Sequence, residues 1–162
     1  MDESASRSGV LLTMFFYGTL KRGHTNHELF CRGYMRVEEA TVRGRLYDLP
    51  SGYPALVVPE KDVRAIGTAD PVHDASEQQR LDNAGIQSPE GPRVSGELFA
   101  FDDPRERLPA LDRLEGFDPG GSSPYRRVLI PAETSAGAGV LAWVYVTEGP
   151  SGAYLPGGRW PS

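Results

Sequence analysis

Thr13–Asn26, TMFFYGTLKRGHTN, is the stretch around which the rest of the chain is read. A short apolar run ends abruptly in Tyr17-Gly18-Thr19-Leu20, and Gly23 follows before a polar HTNHELF segment able to start a helix. Aromatic residues leading into a glycine turn predict a strand that stops and exposes backbone N–H groups. Such groups suit a carboxylate or an oxyanion, although the turn alone does not establish an anion site. The tract is not a phosphate loop: Lys21 follows Gly18 by three residues, and no Gly-Lys-Ser/Thr ending is present.

Working outward, 162 residues suffice for one domain with a core and are short for two. A net charge of −5 with no basic patch or stripe argues against nucleic acid and anionic membrane as partners, and for a small molecule or peptide. Cys31 is the single cysteine, which excludes an internal disulfide and a cysteine zinc cluster and fits a reducing cytoplasm. Residues 1–9, MDESASRSG, lack a basic targeting region and are read as a disordered extension. The apolar run after them is too short to span a bilayer. Oligomeric state is not legible.

Along the chain, Val10–Tyr17 is expected as a central strand covered on both faces. Asn26–Cys31 is expected as about two helical turns with Leu29 and Phe30 inward. Met35–Tyr47 and Ala55–Val58 read as antiparallel strands about a Pro50-Ser51-Gly52 turn. Residues from about 60 to 92 read as a charged, loop-like insertion. Its SEQQRLDN portion offers a surface helix with only Leu81 as apolar anchor, and the segment is a candidate lid. Val94–Phe101, VSGELFAF, repeats the pattern of VRGRLY at Val42–Tyr47, which suggests two strands bent alike at Gly44 and Gly96. Asp103, Pro104 and Glu106 form a helix-start signature, Leu108, Leu111 and Leu114 recur at helical spacing, and Gly116 is placed as a left-handed cap. Pro109 predicts a kink or a later start. Tyr125–Pro131 and Val140–Thr147 read as a hairpin, and Trp160 is expected to dock the tail on the body.

Glu115 is the carboxylate with the strongest case for chemistry. It closes the leucine-patterned helix, where the negative end of the dipole and Asp112 one turn earlier both disfavour its ionisation. Buried there, it becomes a proton shuttle near neutrality; the alternative is a solvated glutamate at a helix end. His24 and His27 share a spacing suited to one helix face but lack an evident third metal ligand, so no metal is expected. Cys31 beside leucine and phenylalanine reads as a core residue. Tyr125 either packs at a strand end or offers its phenol to a pocket.

The tracts FFYGTLKRGHTNH (residues 15–27), VRGRLYDLPSGYPALV (42–57), VSGELFAF (94–101), LDRLEGF (111–117), YRR (125–127) and GRW (158–160) together resemble the γ-glutamylcyclotransferase-like family. The long 60–92 segment departs from that pattern, and so does Arg159, where the family often has aspartate. The resemblance implies an α+β fold, a β-barrel-like mixed sheet with short flanking helices and a pocket at the barrel mouth. It implies a cofactor-free release of 5-oxoproline and a free amine from a γ-glutamyl substrate. Carried onto this chain, the family's glutamate falls on Glu115, its substrate loop on Tyr17, Gly18, Thr19 and Leu20, and its pocket tyrosine on Tyr125. A non-catalytic module of the same fold that binds a small molecule is the alternative.

Overall fold

The computed structural model describes residues 10–82, 86–121, 123–150 and 152–161. The expectation for residues 1–9 lies outside them. β1 (Leu12–Phe16) runs at the centre, antiparallel to β6 (Arg93–Phe101) and parallel to β8 (Gly139–Thr147). β6 continues to β2 (Arg36–Arg43), β8 to β7 (Tyr125–Thr134), and β2 pairs with β7. That last pairing closes a five-stranded mixed barrel in the order β2-β6-β1-β8-β7. A two-residue strand, β5 (Ala65–Ile66), extends β7, and a separate sheet joins β3 (Arg45–Asp48), β4 (Pro54–Val57) and β9 (Ala153–Leu155).

Strand periodicity explains why β1 is apolar throughout. Leu12, Met14 and Phe16 pack in one cluster with Leu108 and Leu111, whereas Phe15 points the other way, into a cluster with Val42, Leu98, Val128 and Val144. One face is therefore under helix and the other inside the barrel. The covering helix, α3 (Pro104–Glu115), ends on Gly116 at φ +79°, the left-handed cap its sequence predicts. Leu108 and Leu111 are wholly buried, and each contributes about 1.5–3 kcal/mol by leaving water. Pro109 sits inside the continuous helix. One turn from the start, it forfeits a single backbone bond. Asp103 caps no N–H with its side chain and instead accepts from Arg107 Nε and Nη2, both at 3.1 Å. The expected capping box is absent.

Two further expectations need correction. The first helix, α1 (His27–Phe30), is a single turn, and Leu29 is 77% exposed rather than inward. Gly44 marks the passage from β2 to β3, where an added Cβ would lie 2.8 Å from Val57 O; Gly96 faces the Phe15 ring and the Phe16 carbonyl, leaving no room for a side chain.

The 60–92 segment is the largest difference. It holds a short 3-10 turn (Glu60–Asp62), β5, and α2 (Pro71–Asp82), which packs against α3, β1 and β8. Polar residues anchor α2. Gln78 exchanges two bonds with Thr13, Oε1 accepting from its N–H at 2.8 Å and Nε2 donating to its hydroxyl at 2.9 Å. Asp82 Oδ1 accepts from Leu141 N at 2.8 Å, and Asp74 is buried against Arg127. A helix held by polar side chains has little apolar periodicity, so the sequence pattern reads as surface. The tail docks as expected: β9 pairs with β3, and Trp160 packs on the barrel cluster.

Candidate active site

Where β1 ends, a cavity of about 390 Å³ opens between four parts of the chain. Tyr17 to Leu20 form one wall, and the β3–β4 turn, with Leu49, Ser51, Tyr53 and Pro54, forms the facing one. The end of α3 contributes Leu114 and Glu115, and Tyr125 and Tyr145 come from β7 and β8. Tyr17, Gly18, Thr19, Leu20, Glu115 and Tyr125 thus meet at one place although nearly a hundred positions separate the loop from the helix end. No described residue of the 60–92 segment lines this cavity.

The Tyr17–Leu20 loop is folded by its carbonyls. Gly18 O accepts from Lys21 N at 3.1 Å, Thr19 O from Asn26 N at 2.9 Å, and Leu20 O from Cys31 Sγ at 3.4 Å and from His27 Nδ1 at 3.1 Å. Asn26 Nδ2 adds a bond to the Thr19 hydroxyl at 2.8 Å. Among the described residues, the N–H groups of Gly18, Thr19 and Leu20 donate to no acceptor. The loop therefore sets hydrogen-bond donors, without acceptors of their own, along the cavity wall, an arrangement suited to a carboxylate or oxyanion. Gly18 is a glycine for lack of space: an added Cβ would lie 2.8 Å from Pro54 Cγ.

The Glu115 carboxyl makes no hydrogen bond or ion pair among the described residues. Burial pushes its carboxyl up to about 7. Desolvation is the cause. Repulsion from Asp112, expected from the helical spacing, is not, because Asp112 turns away and is neutralised. Its two oxygens accept from Arg127 Nε at 2.8 Å and Nη2 at 3.0 Å, and Oδ1 also accepts from the Tyr145 hydroxyl at 2.6 Å. Arg127, wholly buried, continues through Nη1 to Asp74 Oδ2 at 2.9 Å and through Nη2 to Thr68 O at 3.0 Å.

Tyr145 joins the halves of the site. Its carbonyl accepts from the Tyr17 hydroxyl at 2.7 Å while its own hydroxyl reaches α3 at Asp112. Burial holds both phenols well above the usual tyrosine range, so they stay protonated, as does Tyr125, raised first by burial and then by the nearby Glu115. The remaining candidates lie elsewhere. His24 lies beside Trp160 with tilted rings whose centres are 5.7 Å apart, His27 holds Leu20 O, and burial pushes the Cys31 thiol up to about 12, a core group rather than a nucleophile.

A family model described as gamma-glutamyl cyclotransferase, AIG2-like, matches residues 14–85 and 84–162. The chain belongs to that family. Solved structures agree on the fold. YkqA from Bacillus subtilis superposes with a TM-score of 0.56 at 20% identity over 93% of this chain, which spans 39% of that protein's length. An AIG2-like protein from Mus musculus gives 0.51 at 21% identity, covering 85% of this chain and 78% of the other. A gamma glutamyl cyclotransferase specific to glutathione from yeast gives 0.50 at 13% identity, over 86% and 69%. No curated protein matches this chain.

For this gamma-glutamyl cyclotransferase family member, sequence reasoning missed the residues that hold the site. Asp74, Tyr145 and the facing turn at Ser51 and Tyr53 were not singled out. Asp74 lacks an apolar context, and Tyr145 is hidden in an apolar strand. A larger concavity, about 650 Å³, lies around Arg93, Glu97 and Glu133. It includes neither Glu115 nor Gly18 and so is not where the candidate groups converge. No described helix is long and apolar enough to cross a membrane.

Proposed function

We propose that this protein is a γ-glutamyl cyclotransferase that releases 5-oxoproline and a free amine from a γ-glutamyl amide. The observation that carries the reading is Glu115, an unpaired carboxyl in the cavity that burial raises to about 7, facing a loop whose Gly18, Thr19 and Leu20 amides have no acceptor among the described residues. The substrate's α-carboxylate or the oxyanion formed at its γ-carbonyl lies on those amides. Glu115 takes a proton from the α-amine as it attacks the γ-carbon, and returns one to the leaving nitrogen as the γ-C–N bond breaks. The ring closes within one molecule. Holding the substrate folded supplies much of the acceleration, so few polar groups are needed. Tyr125 keeps its proton and donates a hydrogen bond from its phenol to the substrate, and no cofactor takes part. The single buried Cys31 agrees with a reducing, cytoplasmic setting.

The test is mass-spectrometric detection of 5-oxoproline from a mixed panel of γ-glutamyl amines, peptides and isopeptides, with Glu115→Gln alongside. Release by the parent and its loss in the variant support the enzyme. Absence of release by the parent across the panel, with binding retained, favours a small-molecule binding module.

A further inference from the structure

Among the described residues, the cavity wall contains no cationic side chain. Its lining consists of the loop, aliphatic and aromatic groups, Asn26, Ser51 and a single ionisable carboxyl, Glu115. The cations nearest in sequence are turned away and engaged. Lys21, directly after the loop, donates from Nζ to Trp160 O at 2.6 Å and lines the other concavity. Arg126, next to Tyr125, pairs with Glu60 at 3.2 Å and Glu148 at 3.5 Å. Asn26 donates one of its amide hydrogens to the Thr19 hydroxyl. The free backbone donors lie together on the loop, enough for one carboxylate or oxyanion.

The side of the cavity facing the loop differs in character. The β3–β4 turn is pinned by Leu49 N to Tyr53 O and Gly52 N to Leu49 O, both at 2.9 Å, with Gly52 at φ +90°. It presents Leu49, Pro54 and the Tyr53 ring, 55% exposed, to the cavity. An aromatic side chain left this open beside a pocket is available to a ligand.

Resting on the cyclotransferase reading, we propose that the leaving group is an apolar or aromatic amine without a carboxylate, packed against Tyr53, and that γ-glutamyl amino acids and peptides ending in a nearby carboxylate are rejected. A second carboxylate placed on this wall gives up part of its hydration and meets only neutral hydroxyls and Glu115, whose ionised form repels it. The glutamyl carboxylate takes the loop. The amine fills the rest.

Two conjugates that differ by one carboxylate test this: γ-glutamylphenethylamide and γ-glutamylphenylalanine. Turnover by the parent protein reads the chemistry, and calorimetric binding to Glu115→Gln reads the preference of the cavity independently of it. We expect the amide to exceed the acid by about tenfold or more in kcat/KM and in affinity, since an unpaired buried charge is discriminated strongly. Tyr53→Ala should raise KM for the amide several-fold with kcat nearly held. Ser51→Lys, which supplies the missing cation, should narrow the gap by improving the acid. Equal or preferred use of the acid, or failure of both conjugates to bind, overturns the proposal. Binding with the expected preference but no 5-oxoproline would overturn the cyclotransferase reading and leave the ligand preference standing.

Discussion

The Tyr145 hydroxyl donates to Asp112 Oδ1 at 2.6 Å, and through that bond strand β8 fixes the helical turn that carries Glu115. The same tyrosine's carbonyl receives the Tyr17 hydroxyl, so a single residue sets the spacing between the loop and the carboxyl. Tyr145→Phe removes one of these links and leaves Asp112 with both Arg127 bonds. The expected loss of stability is about 1 kcal/mol, measured by urea unfolding. A several-fold fall in kcat with KM less affected would mark the bond as positioning.

Glu115 gives a pH prediction with a definite sign. Its ordinary value of 4.5 is raised to about 7 in the folded chain. The folded state therefore holds its proton where the unfolded state has lost it. Its contribution to stability is complete below about 4.5 and is lost as pH rises through about 7. Relative to Glu115→Gln, the parent should lose stability across that window, as thermal unfolding at successive pH values would record. Activity should move oppositely, kcat/KM rising as the base ionises near 7, while the Gln variant falls by about 10²-fold to 10⁴-fold.

Gly18 faces Pro54 at a distance that leaves no space for a methyl group. Gly18→Ala should push the β3–β4 turn from the loop and widen the cavity between its two binding walls. A raised KM for any γ-glutamyl substrate, with a melting temperature lowered by a few degrees, is the expected result. An unaffected KM would show that the turn yields without consequence.

How much of this was legible in the sequence depended on what holds each element. β1, α3 with its Gly116 cap and the β7–β8 hairpin are stated by apolar period and turn chemistry, and the structure has them. The convergence of Tyr17 to Leu20 with Glu115 and Tyr125 was reached through the resemblance, since local pattern left Glu115 indistinguishable from a solvated helix end. Its raised pKa was expected from burial together with the helix dipole and Asp112; burial is the cause, and Asp112 is spent on Arg127. α2 was misread because Asp74, Gln78 and Asp82 are its anchors, and polar anchors carry no hydrophobic period. Ser51 and Tyr53 escaped notice because a turn's part in a cavity follows from which strand it folds against.

Arg127 supplies the last prediction. It is wholly buried between Asp112 and Asp74, with its guanidinium 5.2 Å from the Trp143 ring centre. Removing one member leaves the others charged and dry, so Asp112→Ala should cost about 3–5 kcal/mol in urea unfolding. The site should suffer too, because Asp112 holds the helix end through Tyr145. Asp74→Ala separates the two effects: it breaks the link to α2 yet keeps Asp112, Tyr145 and Arg127 joined. A comparable loss of stability with kcat near that of the parent, measured at a temperature where both are folded, is expected for Asp74→Ala. If Asp74→Ala instead lowered kcat as far as Asp112→Ala does, the Tyr145–Asp112 bond would have no special part in placing Glu115.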